Sequence, residues 1–465
     1  MMNSQATNPL ALRSFEGLPN NGDPFLDCRL DREKYAEILT KIVLTYHRGF
    51  VLALSSDWGT GKTFFVKRWK KYLEHKEIQS IYFNAWENDF DNNALIALLA
   101  ELQSVVLDQN RELYEKLIEK TSLIVKRILP TTIKLFSKIL LRGEDISEIL
   151  KELTAASLTT TSDSINDYIQ KKKDIQDFKD ALSAFVQSTN QDKPLVIFID
   201  ELDRCRPDYA VEVLEAVKHL FNIDGIVFVL SIDKKHLASS IKGYYGSEHI
   251  NTDEYLRRFI DLEYTLPEPS TENFLESLFN SYSFENLFAN HEDNKLYRKM
   301  LQSLSIVYKP TLRQLEKIII QSMLILKSIG KSRLAFEYAL ALILYIKIFD
   351  NELYIKLVNL RIQPVELSSY FKIFTDSNKL SLIDNRFYFL GVGLLIWLLI
   401  NSWNDINRER NSSDSLFDYS NVFKMWSDEE QKGLNEINNW FSQNYRGNTK
   451  LSFLLNKVES LDNLS

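Results

Sequence analysis

Residues 31–48 place Tyr35, Ile38, Leu39, Ile42, Val43 and Tyr46 at helical spacing, which predicts an amphipathic helix. The period then changes. Residues 50–55 (FVLALS) are a short, nearly continuous apolar run, the pattern of a strand covered on both faces. Three similar runs follow at 78–84 (IQSIYFN), 195–199 (LVIFI) and 225–232 (GIVFVLSI). Helical patterns fill the intervals at 63–74, through much of 92–187, and at 208–221. Buried strands alternating with helices predict a parallel sheet with right-handed crossovers. After Pro267 the spacing is helical to the end, with a boundary near residues 327–333. Residues 1–26 are polar, with Pro, Asn and Gly, and read as a tail.

Residues 387–400 (FYFLGVGLLIWLLI) form the longest apolar run, which extends to Trp403 if Asn401 and Ser402 are tolerated. A membrane span needs about 20 residues. The run therefore reads as a buried core helix, with a span as the alternative. Composition agrees with a globular chain of two or three domains: 465 residues, 45% hydrophobic and 26% charged. The net charge of −7 argues against a general nucleic-acid coat and leaves only a local basic groove. Cys28 and Cys205 form no paired motif, and the six histidines show no metal-binding spacing, so no transition-metal site is expected. The N-terminus lacks the pattern of a secretory signal, and a cytoplasmic location is expected.

Glycine is scarce, 14 in all, so clustered glycines carry information. Two fall in Ser56-Asp57-Trp58-Gly59-Thr60-Gly61-Lys62-Thr63-Phe64, between a predicted strand and a predicted helix. This nearly matches the phosphate-loop pattern GxxxxGK[ST]. Several backbone amides must face a phosphate chain there, and glycine permits both the turn and the close approach. The helix N-terminus adds its positive end. Lys62 is expected to reach the β- and γ-phosphates of ATP, and Thr63 to hold Mg2+. Ser56 stands where the first glycine is expected, which puts the entry of the loop in question.

The third strand ends in Asp200-Glu201-Leu202-Asp203-Arg204. Carboxylates at the C-terminal edge of a parallel sheet lie beside such a loop. Asp200 is expected in the Mg2+ shell, and Glu201 to orient and polarise the attacking water. The plainer alternative is an acidic turn with Asp203 and Arg204 as a surface pair. The fourth strand ends in Ser231-Ile232-Asp233, either a γ-phosphate sensor or a strand-ending turn.

These residues together resemble the KAP family of P-loop NTPases. The resemblance rests on the tryptophan within the loop at position 58, and on Phe83-Asn84-Ala85-Trp86. It rests also on Ile199-Asp200-Glu201-Leu202-Asp203-Arg204-Cys205, residues 213–218 (VLEAVK), residues 227–233 (VFVLSID), Tyr255-Leu256, Leu266-Pro267 and Pro310-Thr311-Leu312-Arg313. It covers about residues 27–330. It implies an ATPase of the additional-strand catalytic-glutamate class, related to AAA+ and STAND proteins, in bacterial systems that exclude phages or mobile elements with partner proteins. Family members often carry transmembrane helices between the two nucleotide motifs; here the interval 104–187 has no apolar run of that length.

The expected fold class is α/β. It comprises a P-loop NTPase parallel sheet over 27–270 with a helical insertion at 104–187, a helical lid at 271–330, and an all-α domain at 331–465 that passes the nucleotide state to protein partners. In a homo-oligomer, Arg257 or Arg258 would reach a neighbour's γ-phosphate, and Arg313 would act as a sensor from the lid. The alternatives are a solvated basic turn and a salt-bridged helix start. Residues 121–142 hold five basic residues and no acids. Arg127, Lys134, Lys138 and Arg142 lie near one helical face, with Ile128, Ile133, Phe136 and Leu140 as apolar surface and Pro130 as an interruption. That is either a surface for an anionic membrane or partner, or the solvated face of an insertion hairpin. Trp58 and Trp86 read as core packing.

Overall fold

The computed structural model describes residues 22–25, 32–46, 49–90, 93–127, 161–189, 192–247, 249–267, 270–282, 284–288, 291–329, 334–378, 380, 385–409, 422–444 and 451–460. The chain forms two compact units, Met1–Glu268 and Pro269–Ser465.

The first unit is built on five parallel strands: β1 (Phe50–Ser55), β2 (Ser80–Asn84), β3 (Leu195–Asp200), β4 (Ile226–Ile232) and β5 (Leu262–Thr265). Their order is β2-β3-β4-β1-β5. Strand β4 thus lies between the strand feeding the phosphate loop and the strand ending in the acids. The helices are α1 (Glu33–Thr45), α2 (Lys62–His75), α3 (Ala94–Leu102), α4 (Arg111–Arg127), α5 (Thr161–Thr189), α6 (Pro207–His219), α7 (Lys234–Tyr245) and α8 (Thr252–Leu256). They cover both sheet faces, which is why the strands read as continuous apolar runs.

Alternate residues divide between the faces. Leu52, Leu54, Val196, Phe198, Val227 and Val229 pack with Leu39 and Val43 of α1 and Phe65, Trp69 and Leu73 of α2. Val51, Ala53, Ile197, Ile199, Phe228 and Leu230 pack with Leu95, Leu98 and Leu99 of α3, Phe178, Leu182 and Phe185 of α5, and α6. Trp69 meets Phe198 edge-on at 5.1 Å and donates its indole N–H to Thr40 Oγ1 at 2.9 Å.

Two features depart from expectation. Strand β5 has no apolar run: Leu262, Glu263 and Thr265 are exposed and Tyr264 is half-buried. It forms because the main chain pairs with the free edge of β1, with Asp261 exchanging two 2.9 Å hydrogen bonds with Val51. The segment read as a tail ends on docked residues, since Phe25 is buried against Phe65 and Tyr72 of α2 and Arg68 donates to the Pro24 carbonyl. In the insertion, α4 and α5 pack along each other. Most of the basic stretch 121–142, including Lys134, Lys138 and Arg142, lies outside the described residues.

The second unit is helical among its described residues: α9 (Thr271–Ser281), α10 (His291–Tyr308), α11 (Leu312–Ile329), α12 (Leu334–Phe349), α13 (Asn351–Val358), α14 (Pro364–Ser377), α15 (Arg386–Glu409), α16 (Asp428–Asn444) and α17 (Leu451–Ser460). Helix α15 is its axis and packs against α10, α12, α14, α16 and α17. Its residues Leu394, Leu395, Ile396, Leu398, Leu399 and Ile400 are fully buried. A Cβ at position 391 would meet Met300 Cε at 2.2 Å, so the methyl end of Met300 fills the space left by glycine. Residues 386–405 are long and apolar enough to cross a membrane, and 67% of that window is buried inside the unit. This is the core-helix arrangement.

Candidate active site

The parallel strands deliver their C-terminal ends to one edge, and the register aligns Asn84, Asp200, Ser231 and Leu54 in a single row. One residue after the end of β1, the Ser56 amide donates to the Ile232 carbonyl at 3.4 Å. The loop turns on Gly59 (φ 78°) and Gly61 (φ 86°), and α2 starts at Lys62. Ser56 needs no left-handed backbone, so serine fits where a glycine was expected. Thr60 Oγ1 donates to the Asp57 carbonyl at 2.8 Å, which leaves Ser56 Oγ as donor to Thr60 Oγ1 at 2.7 Å. The amides opening α2 have no intrahelical acceptor and form an anion-binding end. Thr63 and Phe64 are half-buried in that first turn.

The Lys62 ammonium lies inside the loop, donating to the carbonyls of Ser56 and Asp57. Burial pushes its pKa down; the carboxylates of Asp203, Asp233, Asp200 and Asp57 oppose that shift. Sequence pattern gave no sign of Arg32. Its buried guanidinium donates to Thr60 O at 3.3 Å and Pro267 O at 2.7 Å, so it braces the loop from behind.

Asp200 is buried, with Tyr82 OH donating to Oδ2 and the Glu201 amide to Oδ1, each at 3.0 Å. Glu201 turns the chain out of β3 in a left-handed conformation, φ 61°. For a residue with a Cβ this costs about 1–3 kcal/mol and occurs preferentially at functional sites. Its Oε1 pairs with Arg204 Nη2 at 2.9 Å. Burial raises its pKa; Arg204 and Asn84 pull it back.

Ser231, beside Asp200, has a fully buried hydroxyl with no partner among the described residues. Asp233 caps α7, accepting from the amides of Lys235 (3.0 Å) and His236 (3.3 Å). A buried hydroxyl rarely goes unsatisfied, and this one lies where a ligand oxygen or water would complete it. Asp200 and Ser231, neighbours across β3 and β4, offer oxygen atoms only, which suit a hard divalent cation better than a soft one.

The two tryptophans are not in the core: Trp58 is 44% exposed and Trp86 52%. Trp58 stacks on His236 at 3.6 Å and 4°, and its indole N–H donates to Asp203. Trp86 carries the Arg204 guanidinium at 5.5 Å from its ring centroid. Asp203 and Arg204 are therefore not a surface pair; each is engaged with a tryptophan, and Asp203 is buried. Their sequence signal is the pairing of Trp58 and Trp86 with the acidic segment.

Arg257 and Arg258 are exposed just after α8. Arg313 is exposed in the first turn of α11, in the second unit, where Thr311 and Gln314 exchange capping hydrogen bonds.

A family model described as the KAP family P-loop domain matches residues 32–329. No curated protein matches the chain. Among solved structures, the chain is similar to the Aeropyrum pernix ORC2 protein in its ADPNP–ADP complexes, at 16% identity over 97% of this chain and 98% of that one. The TM-score of 0.32 is too low for that likeness to bear on fold or function.

Proposed function

The chain belongs to the KAP family of P-loop NTPases, and from that premise we propose that it is an ATP-binding and ATP-hydrolysing switch. The observation that supports this most is the row Asn84, Asp200, Ser231, Leu54, which sets the acids of β3 at the edge that bears the glycine loop. The phosphates of ATP are received by the amides of residues 59–63, with Lys62 turning its ammonium from loop carbonyls to phosphate oxygens. Thr63 and Asp200 would hold Mg2+, which supplies positive charge against the phosphate oxygens. Glu201 accepts a hydrogen bond from the attacking water and orients it, and the Ser231 hydroxyl finds its missing partner at the γ-phosphate or that water.

The wider setting is also a proposal, on the family resemblance: a bacterial anti-phage or mobile-element-exclusion system with protein partners. In it, Arg257 or Arg258 of one copy serves the site of another, and Arg313 responds to the nucleotide.

Turnover of Mg·ATP by purified wild type, Lys62→Ala and Glu201→Gln tests the reading. Wild type should hydrolyse ATP, Lys62→Ala should fail to bind it, and Glu201→Gln should bind without turnover. Tight binding with no wild-type turnover would instead select a nucleotide-gated scaffold. Strong stimulation by DNA, lost with salt, would select a nucleic-acid-dependent motor. Equal turnover in all three proteins sinks the assignment.

A further inference from the structure

Thr60 is held at its side chain and at its carbonyl. Its Oγ1 donates to the Asp57 carbonyl at 2.8 Å and accepts from Ser56 Oγ at 2.7 Å. Its carbonyl oxygen accepts from Arg32 Nη2 at 3.3 Å. Arg32 is buried at the N-cap of α1, a helix whose Leu39 and Val43 pack against the sheet. Its Nη1 donates to the Pro267 carbonyl at 2.7 Å. The preceding Leu266 donates its amide to the carbonyl of Ser55, the last residue of β1, at 3.0 Å. The chain running from β5 to the end of the unit at Glu268 is thereby tied to the phosphate loop twice, at its entry through Ser55 and at its middle through Arg32. Tyr35 of α1 has its ring 5.9 Å from the guanidinium and 6.5 Å from the ring of Tyr264 in β5.

A trans peptide is planar, so the Thr60 carbonyl and the Gly61 amide point in opposite directions. Gly61 is the N-cap of α2, at φ 86°. Glycine takes either sign of φ, so local sterics alone do not stop the 60–61 peptide from flipping. A guanidinium that holds the Thr60 carbonyl does stop it, and it turns the Gly61 N–H away from Arg32. Hydrogen bonds in a chain polarise one another, so a cation on the carbonyl also strengthens that N–H as a donor. Resting on the nucleotide-binding reading, we propose that Arg32 is a positioning residue of the phosphate loop. One arm of its fork fixes the 60–61 peptide with the Gly61 amide toward the phosphates. The other arm carries the state of that peptide to the chain leaving β5. The planar fork suits arginine to this place, since it can serve two carbonyls in fixed geometry.

The test uses the full chain with Glu201→Gln, so that bound ATP persists, with and without Arg32→Lys. Lysine keeps the charge at position 32 but has no fork. Calorimetric titration of Mg·ATP, well below each protein's thermal midpoint, should give a Kd weaker by about tenfold or more with Arg32→Lys, the size of one hydrogen bond to a charged group. Hydrogen exchange at residues 262–266 should slow severalfold when Mg·ATP is added to Glu201→Gln, and Arg32→Lys should abolish that response. A role in folding alone would lower the midpoint and leave both readouts unmoved. The exchange measurement on Glu201→Gln needs no change at position 32, so it can refute the coupling even if Arg32→Lys does not fold. Equal Kd values in the two proteins, exchange at 262–266 that ignores Mg·ATP, or a response that survives Arg32→Lys overturns the proposal while ATP still binds. No binding of Mg·ATP to Glu201→Gln defeats the nucleotide reading itself, and this inference with it.

Discussion

Glu215 offers a test of the nucleotide-binding unit that requires no nucleotide. It lies on α6, 7% exposed, and its Oε1 has no hydrogen-bond partner among the described residues. Glu212 of the same helix, Tyr244 and Tyr245 of α7 and Tyr255 of α8 face it. Tyr245 and Tyr255 meet hydroxyl to hydroxyl at 3.3 Å. Burial, aided by the charge of Glu212, pushes the Glu215 carboxyl up from 4.5 to about 8. The folded protein therefore binds this proton more tightly than the unfolded chain does. The stabilisation is present in full below pH 4.5, declines as pH rises and is gone above about 8.

Within that window the loss is about 1.4 kcal/mol per pH unit. From pH 5.5 to 7.5 wild type should lose about 2.7 kcal/mol relative to Glu215→Gln, whose side chain does not titrate. Comparing the two at several pH values removes the constant offset from placing an amide in the pocket. Urea unfolding of both proteins at pH 5.5, 6.5, 7.5 and 8.5 measures the difference. A wild-type-minus-variant stability that stays flat from pH 5.5 to 7.5 would refute the reasoning.

Three further substitutions address other parts of the account. Trp58→Phe keeps a ring beside His236 but leaves the buried Asp203 carboxylate without the indole donor, and should cost about 1–3 kcal/mol in urea unfolding; an unmoved midpoint contradicts the bridge from loop to acid segment. Gly49→Ala should cost about 2 kcal/mol by the same measurement, because φ is +58° and a Cβ would meet Asn222 Oδ1 at 2.0 Å. Leu398→Ala, at a fully buried position of α15, should destabilise the detergent-free protein by about 2–5 kcal/mol; no loss of stability would mean that α15 is not a core helix.

Much of the sheet is legible in sequence because its strands are buried on both faces. Residues 195–199 and 225–232 announce themselves by apolar continuity, and β1 by the glycine loop that follows it. Strand β5 escapes because its stability comes from main-chain pairing with β1, while its own side chains are mostly exposed. The core helix at 387–403 is readable from length and absence of charge, although periodicity says nothing about which helices surround it.

For the candidate site, motif spacing singles out Lys62, Thr63, Asp200 and Glu201, the residues to which the proposal gives phosphate, Mg2+ and water. It misses the residues that act through three-dimensional neighbours. Arg32 braces the loop, His236 stacks on Trp58, and Arg204 pairs with Glu201; none stands out by type or periodicity. The rule that large aromatics pack in the core fails for Trp58 and Trp86, where an indole N–H or a ring face is engaged by a charged group.

The most direct measurement is calorimetric titration of Mg·ATP into Glu201→Gln and into the double variant Glu201→Gln/Lys62→Ala. The account predicts saturable one-to-one binding in the first and its loss in the second, since the ammonium that meets the phosphates is gone while the acids of β3 are equal in both. Indistinguishable binding in the two proteins, or no binding in either, would contradict it.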